Sequence, residues 1–335
     1  MIHDDLAARP RPAPPRGPTH ATPHGSPAAT PLAWANGRFV DAADLAVPVG
    51  DAGFVLGATV TEQLRTFHGR LFLVAEHLQR LAASLAAVGI APGVSSDVLA
   101  DAAARVAASH VASDDPAAGG DLGLVIFVTP GDLPAQHVGR GSAPRVMIHA
   151  FPLAHVLWAH AYEQGVALRS VAVQQVPEAC WPLHAKVRSR LHYFLADREA
   201  HAAEPGARAV VAHADGRISE TSTANVAIVV DGTVLSPPAD DALPGVSLAF
   251  ARRLAEREGI PWRERPLTAA DLAAAAEILL TSTPSCILPA TRFDGRPVGT
   301  GAPGPVYRRL LAAWSADVGL DIAAQARRHA QETQV

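Results

Sequence analysis

The chain has 335 residues, 49 % apolar and 18 % charged, which is enough to bury a large core spread over about two domains. Its net charge of −4 carries no basic excess, so nucleic acid is not an expected partner. No apolar run approaches the ~20 residues that span a bilayer, no short apolar signal core opens the chain, and Cys180 and Cys286 form neither a metal pattern nor a disulfide framework. These features predict no membrane partner, no metal and a reducing, cytoplasmic setting.

Residues 1–31 hold eight prolines and few large apolar residues, and are expected as a disordered tail. Order is predicted from Pro31, with Asn36-Gly37 as a hairpin turn between two short strands. Strands follow at Val60–Phe67 and Arg70–Val74, then helices at Ala75–Leu85 and Ser96–His110. The apolar runs Leu122–Thr129 and Pro144–Pro152 suit buried strands, and close a first domain over 32–152. Beyond it come a strand at Ala167–Val173, a helix at Ser189–Glu199 and short strands at Ala207–Ala212, Ile218–Ser219 and Val226–Val230. Asp215-Gly216 and Asp231-Gly232 are predicted as primed turns. An amphipathic helix spans Ser247–Glu258, and the strand Ala276–Leu280 enters the polar run Thr281–Ser285. This second domain is expected over 153–320, with a C-terminal tail at 321–335.

Among the 28 Lys plus Arg residues only one is lysine, Lys186. Arginine serves a charged surface equally well but has no amine lone pair with which to form an imine. A lone lysine in an arginine-rich chain is therefore either a chance surface residue or one whose amine is needed. Arg188 and Arg190 lie beside it, and like charge would lower its pKa.

Other residues have both ordinary and chemical readings. Glu220, past the Asp215-Gly216 turn, is a solvated turn acid or a carboxylate facing a bound cation. Leu243-Pro-Gly-Val-Ser247 opens a helix whose free N–H groups and dipole favour an anion, with Ser247 as N-cap. Ser282 and Thr283 offer hydroxyls at a strand end. Arg80 is a solvated helix arginine or a bidentate anion ligand.

The order of these pieces is more specific than any one of them. Asp51-Ala-Gly-Phe…Gly57, Glu76-His-Leu-Gln-Arg80-Leu…Ser84, Lys186, Ser219-Glu220…Asn225, Pro237-Pro238, Leu243–Ser247, Glu277, Thr281-Ser-Thr283, Asp294-Gly295 and Gly301–Pro305 resemble, in sequence order, the class IV aminotransferases over about residues 32–318. The family includes branched-chain and D-amino-acid aminotransferases and 4-amino-4-deoxychorismate lyases. The resemblance implies an α/β (α+β) chain of fold type IV, with a small α/β domain and a larger barrel-like α/β domain, usually as a homodimer. It implies pyridoxal 5'-phosphate as cofactor, with Lys186 as its Schiff-base lysine and general base, and Glu220 at its ring nitrogen. Arg80, Val246, Ser247, Ser282 and Thr283 are placed by the same resemblance at its phosphate.

The reaction so implied moves an amino group from an amino acid to a 2-keto acid. A lyase would share the first half and then eliminate a leaving group, and a cofactor-binding protein without turnover is the remaining alternative. The branched-chain enzymes carry a Tyr-x-Arg pair in the strand that here reads Leu122–Thr129, without arginine. Where D-amino-acid enzymes and lyases have an arginine after that strand, this chain has Pro130-Gly131. The tyrosine five residues after the lysine in branched-chain enzymes is Leu191 here, with Tyr193 two residues on. Arg65, Arg188 and Arg190 are the candidates left for a substrate carboxylate, and each is equally a surface arginine.

Overall fold

The computed structural model describes residues 30–111, 120–136 and 142–332. Residues 1–29 of the expected tail therefore lie outside the described residues. β1 (Leu32–Ala35) and β2 (Arg38–Asp41) form the expected hairpin, with Asn36 and Gly37 both at positive φ, as a type I′ turn requires. α1 (Ala52–Val55) is one turn, capped by Asp51, whose carboxylate accepts from Gly53 N–H, Thr129 Oγ1 and Arg145. β3 (Val60–Phe67), β4 (Arg70–Leu71), α2 (Val74–Ala87), α3 (Ser96–Val111), β5 (Leu122–Thr129) and β6 (Arg145–Pro152) follow.

The six strands lie in the order β2-β1-β6-β5-β3-β4, and α2 and α3 cover one face. Period-2 alternation turns Val60, Leu64, Leu124, Ile126, Val128, Val146 and Ile148 into that layer. The matching helix stripe is Leu78, Leu81 and Leu85 from α2 with Leu99, Ala103 and Val106 from α3. Each such buried aliphatic side chain contributes about 1.5–3 kcal/mol.

The second half contains α4 (Ala161–Gln164), β7 (Val166–Gln174), α5 (Leu191–Ala203), β8 (Arg208–Ala212), β9 (Ile218–Thr221), β10 (Asn225–Val230), β11 (Thr233–Ser236), α6 (Val246–Arg257), β12 (Trp262–Glu264), α7 (Ala269–Ala274), β13 (Glu277–Ser282), β14 (Cys286–Phe293), β15 (Arg296–Pro297), α8 (Pro305–Val318) and α9 (Ile322–Glu332). β10, β13, β14, β7, β8 and β9 neighbour one another in that order, and the pairing of Asn225 with Glu220 joins β10 back to β9. The result is the expected barrel-like ring, with β11 and β12 extending it. α6, α8 and α9 pack on it through Phe250, Leu254, Tyr307, Leu310, Trp314 and Ile322.

Three expectations need correction. Residues 321–335 were expected as a tail, but α9 buries Ile322, Gln325 and Ala326. Of the two predicted primed turns, Asp231-Gly232 has both residues at positive φ, whereas at Asp215-Gly216 only the glycine does. The N-cap of α6 is Gly245, with no side-chain cap bond, so Ser247 lies inside the first turn. Among the described residues, no helix is long and apolar enough to cross a membrane.

Candidate active site

β3 divides its side chains between two tasks. Glu62 shares the inner face with Val60 and Leu64, so its carboxylate enters an apolar layer, fully buried. α2 meets it there with residues three apart. His77 Nδ1 lies 2.9 Å from Glu62 Oε1, and Arg80 donates to the same carboxylate through Nε at 2.9 Å and Nη2 at 2.6 Å. Burial alone would push this carboxyl up; the Arg80 charge and the His77 and Arg80 hydrogen bonds outweigh it and hold the carboxyl down at about 2. The remaining Arg80 nitrogen, Nη1, donates to the carbonyl of Pro244 at 3.1 Å. Glu62 thus fixes the Arg80 guanidinium against the turn that opens α6.

The other face of β3 carries Thr61 and Gln63 into a cavity of about 520 Å³. β4 is only two residues long and pairs with Thr66 and Phe67, leaving the start of β3 open at its edge. Residues 186–188 take that edge. Thr61 N–H donates to the Lys186 carbonyl at 2.9 Å, Arg188 N–H to the Thr59 carbonyl at 2.8 Å, and Val60 faces Val187. Lys186 N–H donates to Ser84 Oγ on α2 at 3.0 Å. In an extended segment alternate side chains share a face, so Val187 joins the first core while Lys186 and Arg188 line the cavity.

The Lys186 amine is pushed down to about 8. Burial is the largest cause and the Arg80 charge the next, with Arg190 adding and Glu62 and Glu220 opposing. The depressed amine expected from the sequence is present, but its causes are chiefly burial and Arg80 rather than Arg188 and Arg190.

Glu220 lies across the same cavity, placed by the strand pair that joins β9 to β10. Tyr193, on α5, donates to its Oε1 at 2.6 Å, and Asn225 Nδ2 to its Oε2 at 3.2 Å. Burial pushes the Glu220 carboxyl up, against the pull of Tyr193, Lys186, Arg190 and Arg80.

The cavity also receives Val246, Ser247, Ser282 and Thr283. The uncapped start of α6 points N–H groups and the positive end of its dipole there. Gly245 allows this approach, because a Cβ at that position would overlap Asn225 Oδ1. Gly245→Ala is therefore expected to weaken binding of a phosphorylated ligand by about tenfold or more, through displacement of Asn225 and the turn. Equilibrium titration with pyridoxal 5'-phosphate measures this.

Arg65, a candidate for substrate, is not in the cavity. It is buried and donates to the carbonyls of Thr66 and Pro284, to Cys286 Sγ and to Gln325 Oε1, with Asp121 4.0 Å away. It is a structural arginine that ties β3 to the β13–β14 turn and α9. Glu277, part of the recognised pattern, accepts from Val306 and Tyr307 N–H and caps α8. Arg188 and Arg190 do line the cavity, Arg190 with its guanidinium 4.8 Å from the Tyr193 ring.

Glu62, Gln175 and the bonds of Tyr193 and Asn225 to Glu220 were missed in the sequence. The one available signal was an acid in the apolar strand Val60–Phe67, followed by His77 and Arg80 at helical spacing.

The donor set fits pyridoxal 5'-phosphate. It combines an amine of lowered pKa, a half-buried carboxylate opposite, a helix start for the phosphate and a buried Thr281 Oγ1 without a partner in the cavity wall. A family model for amino-transferase class IV matches residues 59–293. A D-alanine aminotransferase of Bacillus licheniformis is 27 % identical over 280 residues, covering 83 % of this chain and 94 % of that one. The branched-chain amino acid aminotransferase of Escherichia coli superposes with a TM-score of 0.78 at 28 % identity, over 87 % of this chain and 94 % of its own. A branched-chain amino acid aminotransferase of Thermotoga maritima, described as putative, has the same fold, with a TM-score of 0.70 at 22 % identity over 86 % and 95 % of the two chains. With the family match running from β3 through Lys186 and Glu220 to the end of β14, the chain belongs to the class IV aminotransferases.

Proposed function

We propose that this aminotransferase uses pyridoxal 5'-phosphate held by Arg80, Lys186, Glu220, Val246, Ser247, Ser282 and Thr283 to exchange an amino group between an amino acid and a 2-keto acid. The observation that carries this reading is the Lys186 amine, lowered to about 8 and facing Glu220 across one cavity. When bound, the cofactor supplies an aldehyde for imine exchange and a ring that accepts electron density from the substrate Cα. Near neutral pH a tenth or so of the Lys186 amine is free base, enough to attack a carbonyl and then take and return the proton at the substrate Cα. Glu220 would accept the N–H bond of a protonated cofactor ring. Arg80, fixed by Glu62, and the open start of α6 would hold the phosphate at one end of the cavity.

Arg188 fits the substrate carboxylate. It shares the face of Lys186 two residues along an extended segment, about 6–7 Å away, and among the described residues no carboxylate lies within ion-pair distance of it. Arg190, stacked by Tyr193, is the second cation of that wall. A homodimer is supported by the exposed apolar side chains Phe54, Leu56, Leu157, Leu191 and Phe194, of which Leu157 lines the cavity. Each is 60–71 % exposed, and Ser189 Oγ bonds Gly57 to link two of these segments.

The test is a panel of L- and D-amino acids with and without a 2-keto acid. Keto-acid formation that requires the acceptor is expected, with Arg188→Gln raising the donor KM about tenfold or more while cofactor affinity is kept. Pyruvate released without an acceptor, or no shift of the bound cofactor's absorption by any amino acid, refutes the reading.

A further inference from the structure

The hydrogen-bond polarity around Glu220 is determined by groups whose donor and acceptor roles are fixed. The Gln175 amide has one acceptor and two donor positions. Its Oε1 accepts from the backbone N–H of Val176 at 2.9 Å, an obligate donor, so its Nε2 faces Tyr193 Oη at 2.9 Å and Ser219 Oγ at 3.0 Å. The phenol oxygen is thereby already accepting, and its single proton turns to Glu220 Oε1. On the other side, the Leu243 carbonyl is an obligate acceptor. It holds Asn225 Nδ2 at 2.8 Å and leaves that group's second proton for Glu220 Oε2. Both Glu220 oxygens therefore meet donors. Two donors stabilise the ionised carboxylate more than the neutral acid, so they favour a Glu220 that accepts its third bond from a cavity partner bringing a proton of its own.

We propose that Tyr193, oriented by Gln175, is a positioning residue that keeps Glu220 a two-sided acceptor, so that the site selects the cofactor with its ring nitrogen protonated. This rests on the reading of Glu220 as the partner of that nitrogen. The proton then resides on the ring rather than on Glu220, and the ring is the stronger electron acceptor when the substrate Cα loses its proton. The charges facing Glu220 agree with an ionised carboxylate. Lys186 and Arg190 lie on the segment before α5, and Arg80 lies on α2. Burial opposes them by pushing the carboxyl up, so a donor at Oε1 matters. His192, whose ring is 3.9 Å from that of Tyr193 and whose pKa is lowered by burial and Arg190, packs on the phenol without supplying an anion.

The experiment is NMR of the holoenzyme carrying cofactor isotopically labelled at the ring nitrogen, which reads protonation directly and independently of turnover. The parent is expected to show the protonated signal. Tyr193→Phe, which removes one oxygen, shifts the proton balance by about one to two pKa units toward a neutral ring and lowers kcat roughly ten- to hundredfold with the donor KM within about twofold. Gln175→Met keeps the phenol but frees its proton to turn away, and moves the signal in the same direction by less; it serves if Tyr193→Phe does not fold. A folded Tyr193→Phe or Gln175→Met with the parent signal, alongside Glu220→Gln that has lost it, overturns the proposal and leaves the site reading intact. A Glu220→Gln signal equal to the parent's overturns the assignment of Glu220 itself, and this proposal with it.

Discussion

Lys186→Ala is expected to lower amino transfer by at least about a thousandfold, and Lys186→Arg to do no better. The lysine is assigned two tasks, attack on a carbonyl and proton transfer at the substrate Cα, and no second lysine exists to take over either. Arginine keeps the charge and reaches further, but its guanidinium stays protonated at any working pH. The loss is therefore of a lone pair, not of a cation. In the cofactor-free protein the same amine should react with a simple aldehyde along a titration curve centred near pH 8, well below that of an ordinary lysine. Because the folded value lies below 10.5, the unfolded chain binds the extra proton between about 8 and 10.5, and stability conferred at this position rises with pH across that window. Retained activity in the arginine variant, or an aldehyde reaction centred near 10.5, would contradict the assignment.

Glu62→Gln is expected to destabilise the protein by about 3–5 kcal/mol and to weaken cofactor binding at least about tenfold. The Arg80 side chain is 9 % exposed, and Glu62 is its only carboxylate partner among the described residues. Glutamine fills the same volume yet offers one acceptor where two were used, and removes the anion. A charge left uncompensated in a low-dielectric layer costs more than the pair ever contributed. Arg80 would then turn toward solvent and away from Pro244, which loosens the anion site at the start of α6. Urea unfolding of the cofactor-free protein measures the first effect, and titration with pyridoxal 5'-phosphate the second. The acid limb provides a control. The Glu62 carboxyl titrates near 2 when folded against 4.5 in the unfolded chain, so its contribution is complete above 4.5 and is lost as the pH falls toward 2. Glu62→Gln should flatten that limb. A variant as stable as the parent, with the same acid limb, would remove Glu62 from its role.

The sequence and the structure agree best where a residue's neighbours in sequence determine its state. β3 and β5 have the expected bounds, Val60–Phe67 and Leu122–Thr129, because an unbroken run of apolar and β-branched residues has no competing reading. β14 was not anticipated. It contains Pro289, which ordinarily argues against an inner strand, but pairing with β7 begins only at Ala290, so the missing N–H faces no partner there. Lys186, Arg80, Glu220, Val246, Ser247, Ser282 and Thr283 could be picked out by their order along the chain, and they line one cavity. Arg65 could not be distinguished from a substrate ligand, because its partners Pro284, Cys286 and Gln325 are brought to it only by the tertiary fold. Gln175, and the bond of Tyr193 to Glu220, escaped notice for the same reason: a tyrosine on α5 and a glutamine after β7 converge only once β7 and β8 lie side by side.

The strap of residues 186–188 on the open edge of β3 also bears on the order of folding. Ser84 and Lys186 are 102 positions apart and the strap follows β6 in the chain, so the first sheet and its helices, complete by Pro152, can form before the strap arrives. A nascent or partly folded chain would thus hold Glu62 and Arg80 in register while still lacking the lysine. The amides of Thr61 and Arg188, whose bonds bridge that gap, would gain protection from hydrogen exchange in the same event that makes the chain chemically competent.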